Sequence, residues 1–315
     1  MKAMFDLVNR PWVGAVLWLA GLGIPLMLNQ TWVFIAALFA VYAIVALSQD
    51  VVLGRAGMFD MGHAVYFGVG AYVTAILNTV YGWPILATWP LAVLAAALVG
   101  TLLAAPIVKL RGDYLLVATI GFNAIFILAL DNNLGHLTGG ADGVFAIGVP
   151  SLFGLQASSQ NAQFWLGWVA FAAVMLLMRN LDRSHLGRTM YYIKHDQLAA
   201  TTMGVDTRKY RVLAFALGAA LAGFAGTLYA TLTASVSPGS FKFTESVTLF
   251  AIVLVGGQGS IPGVLLGTVL MFVVPQAFQS FERYRYFVFD IAMVLVMVLR
   301  PQGIWPRVAR KERAR

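Results

Sequence analysis

Asp60 and His63, three residues apart at the head of an apolar run, are the residues best spaced for chemistry, with Asp290 inside another such run. An aspartate and a histidine at that spacing share one face of a helix, where they can pass a proton or cap the first turn. The cap is the preferred reading, because the carboxylates of proton relays usually lie deeper in a membrane. Asp290, with Arg283 and Arg285 one to two turns earlier, is read as a structural ion pair in preference to a substrate contact. The remaining inventory is sparse. The four histidines (His63, His136, His185, His195) are scattered, there is no cysteine, and no His-Glu-x-x-His run occurs, so no metal site is expected. A phosphate-cradling Gly-x-x-x-x-Gly-Lys-Ser/Thr loop is missing too. Serine, histidine and carboxylate recur at no spacing that suggests a nucleophile. Catalytic residues are therefore not expected, nor is a cofactor bound by this chain.

Recognition is better provided for than reaction. Arg179 to Arg211 is the only long charged stretch, with basic residues at 179, 183, 188, 194, 208, 209 and 211. Within it Asp196–Gly204 (DQLAATTMG) can form a short helix with Leu198, Ala199 and Met203 on one side. Between two membrane spans such a stripe has no lipid to enter, so a soluble partner protein is the expected taker.

The elements that must hold this stretch are apolar helices. Of the 315 residues 60% are hydrophobic and only 11% charged, where a soluble domain has about a quarter charged. Ten spans fit the hydropathy: about 12–29, 31–48, 61–80, 87–107, 114–131, 163–179, 212–234, 244–257, 261–279 and 285–299. The first apolar run is not followed by a small-residue cleavage site and is expected to stay as a span. With both termini cytoplasmic, 18 of the 21 basic residues fall inside, and only Lys242, Arg283 and Arg285 outside. The net charge of +8 is thus a topology signal and does not call for nucleic acid.

Two glycine-rich breaks stand out, Gly54-Arg55-Ala56-Gly57 and Gly256 to Gly263, in opposite halves of the chain. Such breaks at a membrane boundary need protein or a wet cavity over their backbone. Residues 132–162 form one sizeable outer loop with tight-turn glycines, able to receive an external partner. Thr119 and Asn123, mid-span, could face a translocation path or bond between helices. The small residues Gly218, Ala222, Gly223 and Gly226 suggest close helix packing.

Several segments, taken in order, resemble the membrane permease subunits of ATP-binding-cassette importers for branched-chain amino acids, of the LivM type. They are Gly54–Leu77 (GRAGMFDMGHAVYFGVGAYVTAIL), Leu110–Phe122 (LRGDYLLVATIGF), Thr138–Gly143 (TGGADG), Gly187–Ala230, Val255–Gly267 (VGGQGSIPGVLLG) and Arg300–Pro306 (RPQGIWP). The resemblance implies one all-α integral membrane domain over residues 1–315, with a cytoplasmic coupling loop at 180–211 and an external loop at 132–162. In such importers the loop carries an E-A-A-x-x-x-G pattern that docks on the ATPase. Ala199, Ala200 and Gly204 match it, and Leu198 stands where the general pattern has Glu. The coupling residues implied are Asp196, Leu198, Ala199, Ala200, Met203 and Gly204.

The same resemblance implies two cytoplasmic ATPases that use the ATP, a second permease, an external substrate-binding protein and a place in the bacterial inner membrane among its lipids. The cargo implied is branched-chain or related hydrophobic amino acids, with urea, amides or aromatic acids as alternatives. An ion-coupled secondary transporter would need charged or unwound sites at the midplane, and a membrane-embedded enzyme a catalytic constellation. Apart from Asp60 and Asp290 such charged sites are absent, and no catalytic constellation occurs.

Overall fold

The computed structural model describes residues 29–277, apart from 111, 153–154 and 158, together with 18, 21–23, 25, 291, 294, 298, 300 and 303–305. The expected spans at 12–29 and 285–299, with Arg283, Arg285 and Asp290, lie outside the continuously described residues.

The chain is a helical bundle. Its helices are α1 (Gln30–Asp50), α2 (Ala64–Thr79), α3 (Ile85–Ile107), α4 (Asp113–Asp131) and α5 (Gln160–Arg183). The loop helices α6 (His185–His195) and α7 (Gln197–Thr202) follow, then α8 (Thr207–Thr233), α9 (Phe243–Gly256), α10 (Ile261–Thr268) and α11 (Val274–Ala277). Five-residue π-helical turns extend α1 (Val51–Arg55) and join α10 to α11 (Val269–Val273). Among the described residues six helical segments are long and apolar enough to cross a membrane: 30–55, 85–107, 113–131, 160–183, 207–233 and 238–256. Ala64–Thr79 and Ile261–Gln276 are shorter apolar helices.

The middle of the bundle is α8, packed on α3, α2 and α1. The small-residue stripe explains how. A Cβ on Gly226 would run into the backbone of Phe67 and Ala71 on α2, and one on Gly223 into Ala96 on α3. The two glycines let α8 approach two neighbours to backbone contact, as the stripe predicts. Helix α1 is buried on all sides from Ala40 to its π turn, which fits its apolar circumference. By contrast, α3 and α4 leave Leu94, Leu98, Leu102, Val117, Ile125 and Leu128 exposed, an apolar face outside the bundle.

The two ends of the bundle differ. One end, where α8 terminates, carries a small antiparallel pairing of β1 (Val144–Phe145) with β4 (Ser235–Val236), in register Val144 to Val236. The segment expected as a plain outer loop is therefore tied down, and Asn78 at the end of α2 accepts a bond from Gly148 N at 2.7 Å. A second hairpin, β2 (Ser151–Leu152) with β3 (Leu155–Gln156), completes it. The opposite end carries α6, α7 and both glycine-rich breaks, and is called the loop end below.

Candidate functional site: a capped apolar knob on a buried ionic joint

Local sequence builds α7 from both sides. Asp196 is its N-cap, with extended backbone and a carboxylate that accepts Ala199 N at 2.9 Å. At the other end Val205 N bonds Ala200 O at 3.1 Å and Gly204 N bonds Thr201 O at 3.0 Å, a Schellman closure. Gly204 has φ +82°, the left-handed conformation that this closure demands of glycine. The helix is thus Gln197–Thr202, narrower than the expected Asp196–Gly204, and both flanking residues serve as caps.

The caps fix which side chains face out. Leu198 is 76% exposed and Met203 84%, with Ala199 exposed between them, while Ala200 is buried at 6% against the rest of the protein. Ala200 is therefore an anchor beneath the knob, and the outward surface carries Leu198, Ala199 and Met203 together with the exposed Thr201 and Thr202. Space beyond Gly204 is open, with no atom within 4 Å of where a Cβ would sit. Arg211 on α8 steadies the assembly by donating to Gln197 Oε1 at 2.8 Å. Nearby, the exposed carboxyl of Asp206 is held below the usual carboxylate range, chiefly because it accepts Lys209 N.

Beneath the knob lies a cluster that composition hid. Arg55, fully buried, donates through Nε to Asp182 Oδ1 at 2.9 Å and through Nη2 to Asp182 Oδ2 at 3.2 Å. Its Nη1 pairs with the buried carboxylate of Asp50. The π turn favours this pairing, because its widened i→i+5 spacing brings residue 55 toward the side of the helix that carries residue 50. Asp50 Oδ1 in turn accepts Gly259 N at 2.7 Å, from the second glycine-rich break. Lys194, at the end of α6, donates to Gly54 O and to Gln258 Oε1, both at 2.9 Å. The break at 256–263 is also gripped from the far C-terminal side, by Ile304 N on Val255 O (2.8 Å) and Trp305 N on Gly256 O (2.9 Å). Four stretches that carry the family resemblance thus meet at one place.

A second buried cluster corrects two expectations. Ser48 Oγ lies 2.8 Å from His63 Nε2, and His63 Nδ1 lies 3.0 Å from Asp60 Oδ2. Asp60 Oδ1 accepts Gly62 N at 2.9 Å, Gln49 donates to Asp60 O at 2.7 Å, and Ser246 on α9 accepts Ala64 N at 3.1 Å. Serine, histidine and acid do come together, against the expectation from spacing, because the first break folds residues 57–63 back under the end of α1. All three have no solvent exposure, and the Ser48 hydroxyl donates to Val45 O at 2.6 Å, a backbone bond that ties it to its own helix. Asp60 and His63 are also not an interfacial cap: α2 has no side-chain cap bond, and both residues are interior. The arrangement knits α1, α2 and α9. Thr119 accepts Met61 N at 3.0 Å, and Asn123 donates to Phe241 O at 3.3 Å, so both side chains bond between elements.

Among the described residues no group of three or more potential metal ligands occurs.

Comparison with known proteins agrees with this architecture. The family model described as "Branched-chain amino acid transport system / permease component" matches residues 31–297. The chain is 36% identical to the high-affinity branched-chain amino acid transport system permease protein LivM of Escherichia coli K12, over 90% of this chain and 72% of that protein. It is 28% identical to the permease protein BraD of Pseudomonas aeruginosa, over 84% and 92% of the two chains. With a probable LivM permease of Methanocaldococcus jannaschii the identity is 25%, over 85% and 91%. No solved structure matches. The six membrane-capable segments, the glycine breaks packed at the loop end and the match across most of the chain lead to one conclusion: this chain belongs to the branched-chain amino acid transport permease family.

Proposed function

We propose that the chain is one of two permease subunits of an ATP-driven importer in the bacterial inner membrane, carrying branched-chain or related hydrophobic amino acids. In this reading it spans the membrane about ten times with both termini cytoplasmic, which puts the loop end in the cytoplasm. Two ATPases dock on the permease loops, and an external binding protein delivers cargo at the opposite end. The chain binds no cofactor itself; ATP is consumed by the ATPases.

The observation that carries this reading is α7: six residues, capped at both ends, presenting Leu198 and Met203 to solvent. Apolar side chains held out on a closed-off helix fit a groove on another protein. ATPase closure would then push α7 and bias the bundle between outward- and inward-open states. Thr119 and Asn123 are assigned to the translocation path, their bonds to Met61 N and Phe241 O being those an opening beside α4 exchanges for water or cargo.

The chain has no cysteine, so a Leu198→Cys variant carries a single reactive thiol. In membranes containing the complete importer it should crosslink to the ATPase subunit, whereas a cysteine at exposed Tyr81, near the opposite end, should not. Crosslinking to lipid alone at position 198 would refute the docking.

A further inference from the structure

Lys194 stands two residues before the Asp196 cap, so with Arg211, which bonds Gln197, it is a charged side chain through which a push on α7 enters the bundle. Its ammonium does not simply point at water. It bonds one acceptor on each glycine-rich break, Gly54 O and Gln258 Oε1. Its stem lies on Gly57, where a Cβ would come within 2.7 Å of Lys194 Cγ, and where φ is +69°. Glycine at 57 is thus required twice, by backbone conformation and by the lysine packed over it.

Past Lys194 the connections continue without slack. Arg55, next to Gly54, clamps Asp182 at the end of α5 with two donors and Asp50 on α1 with a third. A planar guanidinium held on three sides cannot rotate without leaving a buried carboxylate uncompensated. Asp50 closes the circuit on Gly259 N, which belongs to the turn between α9 and α10. Residues 182 and 194 are thus linked by side-chain bonds to 54–55 and 258–259.

We propose that Lys194 and Arg55 are positioning residues for energy coupling: they bind α6, the end of α5 and the two glycine-rich breaks into one rigid joint that carries displacement of α7 into α1, α9 and α10. This rests on the docking role of α7 argued above. A joint of this kind gives the two breaks a shared task. Each interrupts a helix at the loop end, and the side chains of Lys194 and Asp50 touch both.

The test uses the complete importer in liposomes, with cargo imported per ATP hydrolysed as the main readout. Lys194→Met keeps the stem and removes the donors. The ATPase should still co-purify and still hydrolyse ATP, while cargo per ATP falls about tenfold or more, the worth of a charge-assisted hydrogen bond. Lys194→Arg should restore it, and Gln258→Leu, which leaves the Gly54 bond intact, should fall part way. Unchanged cargo per ATP in Lys194→Met would overturn the proposal and leave the joint a purely structural one. Where Lys194→Met is too unstable to recover, Gln258→Leu decides alone: partial loss supports the joint and an unchanged ratio overturns it. Failure of the docking reading looks different, since Leu198→Asp would then leave the ATPase bound and import intact whatever stands at 194.

Discussion

The knob and the joint adjoin in the sequence only at Lys194, two residues before the Asp196 cap, and are built on opposite principles. At α7 the large apolar side chains Leu198 and Met203 face out and the carboxylate of Asp196 is spent on the cap; in the joint the charges face in and satisfy one another. Exposed Leu198 and Met203 gain nothing for this chain's own stability by standing in water. Buried Arg55 and Asp50 are stable only as a pair, since either charge alone in that interior is heavily penalised. The first arrangement suits contact with something else, the second suits holding a shape while that contact is made. Function and stability should therefore separate when the two are altered.

The largest stability loss is expected at the joint. Arg55→Met leaves Asp50 buried beside Gly259 N alone, and breaking such a pair costs about 3–5 kcal/mol. Thermal unfolding in detergent should show a marked drop, and a variant as stable as the parent would mean that the pair is not held as described. Gly204→Ala comes next. No atom obstructs the new methyl, but the left-handed backbone costs about 1–2 kcal/mol, so α7 should fray while the bundle stays intact. Amide exchange at Met203 and Val205 would register it, with no change expected in α8; protection unchanged at both would remove the Schellman closure from the account.

What sequence made legible follows from how local each feature is. The expected spans 87–107 and 114–131 nearly coincide with Ile85–Ile107 and Asp113–Asp131, because hydropathy acts residue by residue along a helix. The start of α8 was missed by five residues, since its first turn, Thr207–Arg211, is polar and capped by Asp206 rather than apolar. Helix α7 was readable because its caps and its stripe lie within nine residues. The joint was not readable. Arg55 counted only as an inside charge, yet its partner Asp182 is 127 residues away, and Asp50 meets Gly259 across 209. Ser48 and His63 likewise meet only because the first break reverses the chain between them. An aspartate and an arginine five positions apart at a span's end are a usable signal, once a π turn is allowed as one way to bring them together.

The most direct measurement of the central claim is uptake of labelled leucine by liposomes holding the complete importer, with Leu198→Asp and Met203→Asp combined in this chain. Both side chains point into solvent, so the unfolding temperature should not change, while ATPase binding and ATP-dependent accumulation should both be lost. Accumulation at the unaltered level by the doubly substituted chain would contradict the account.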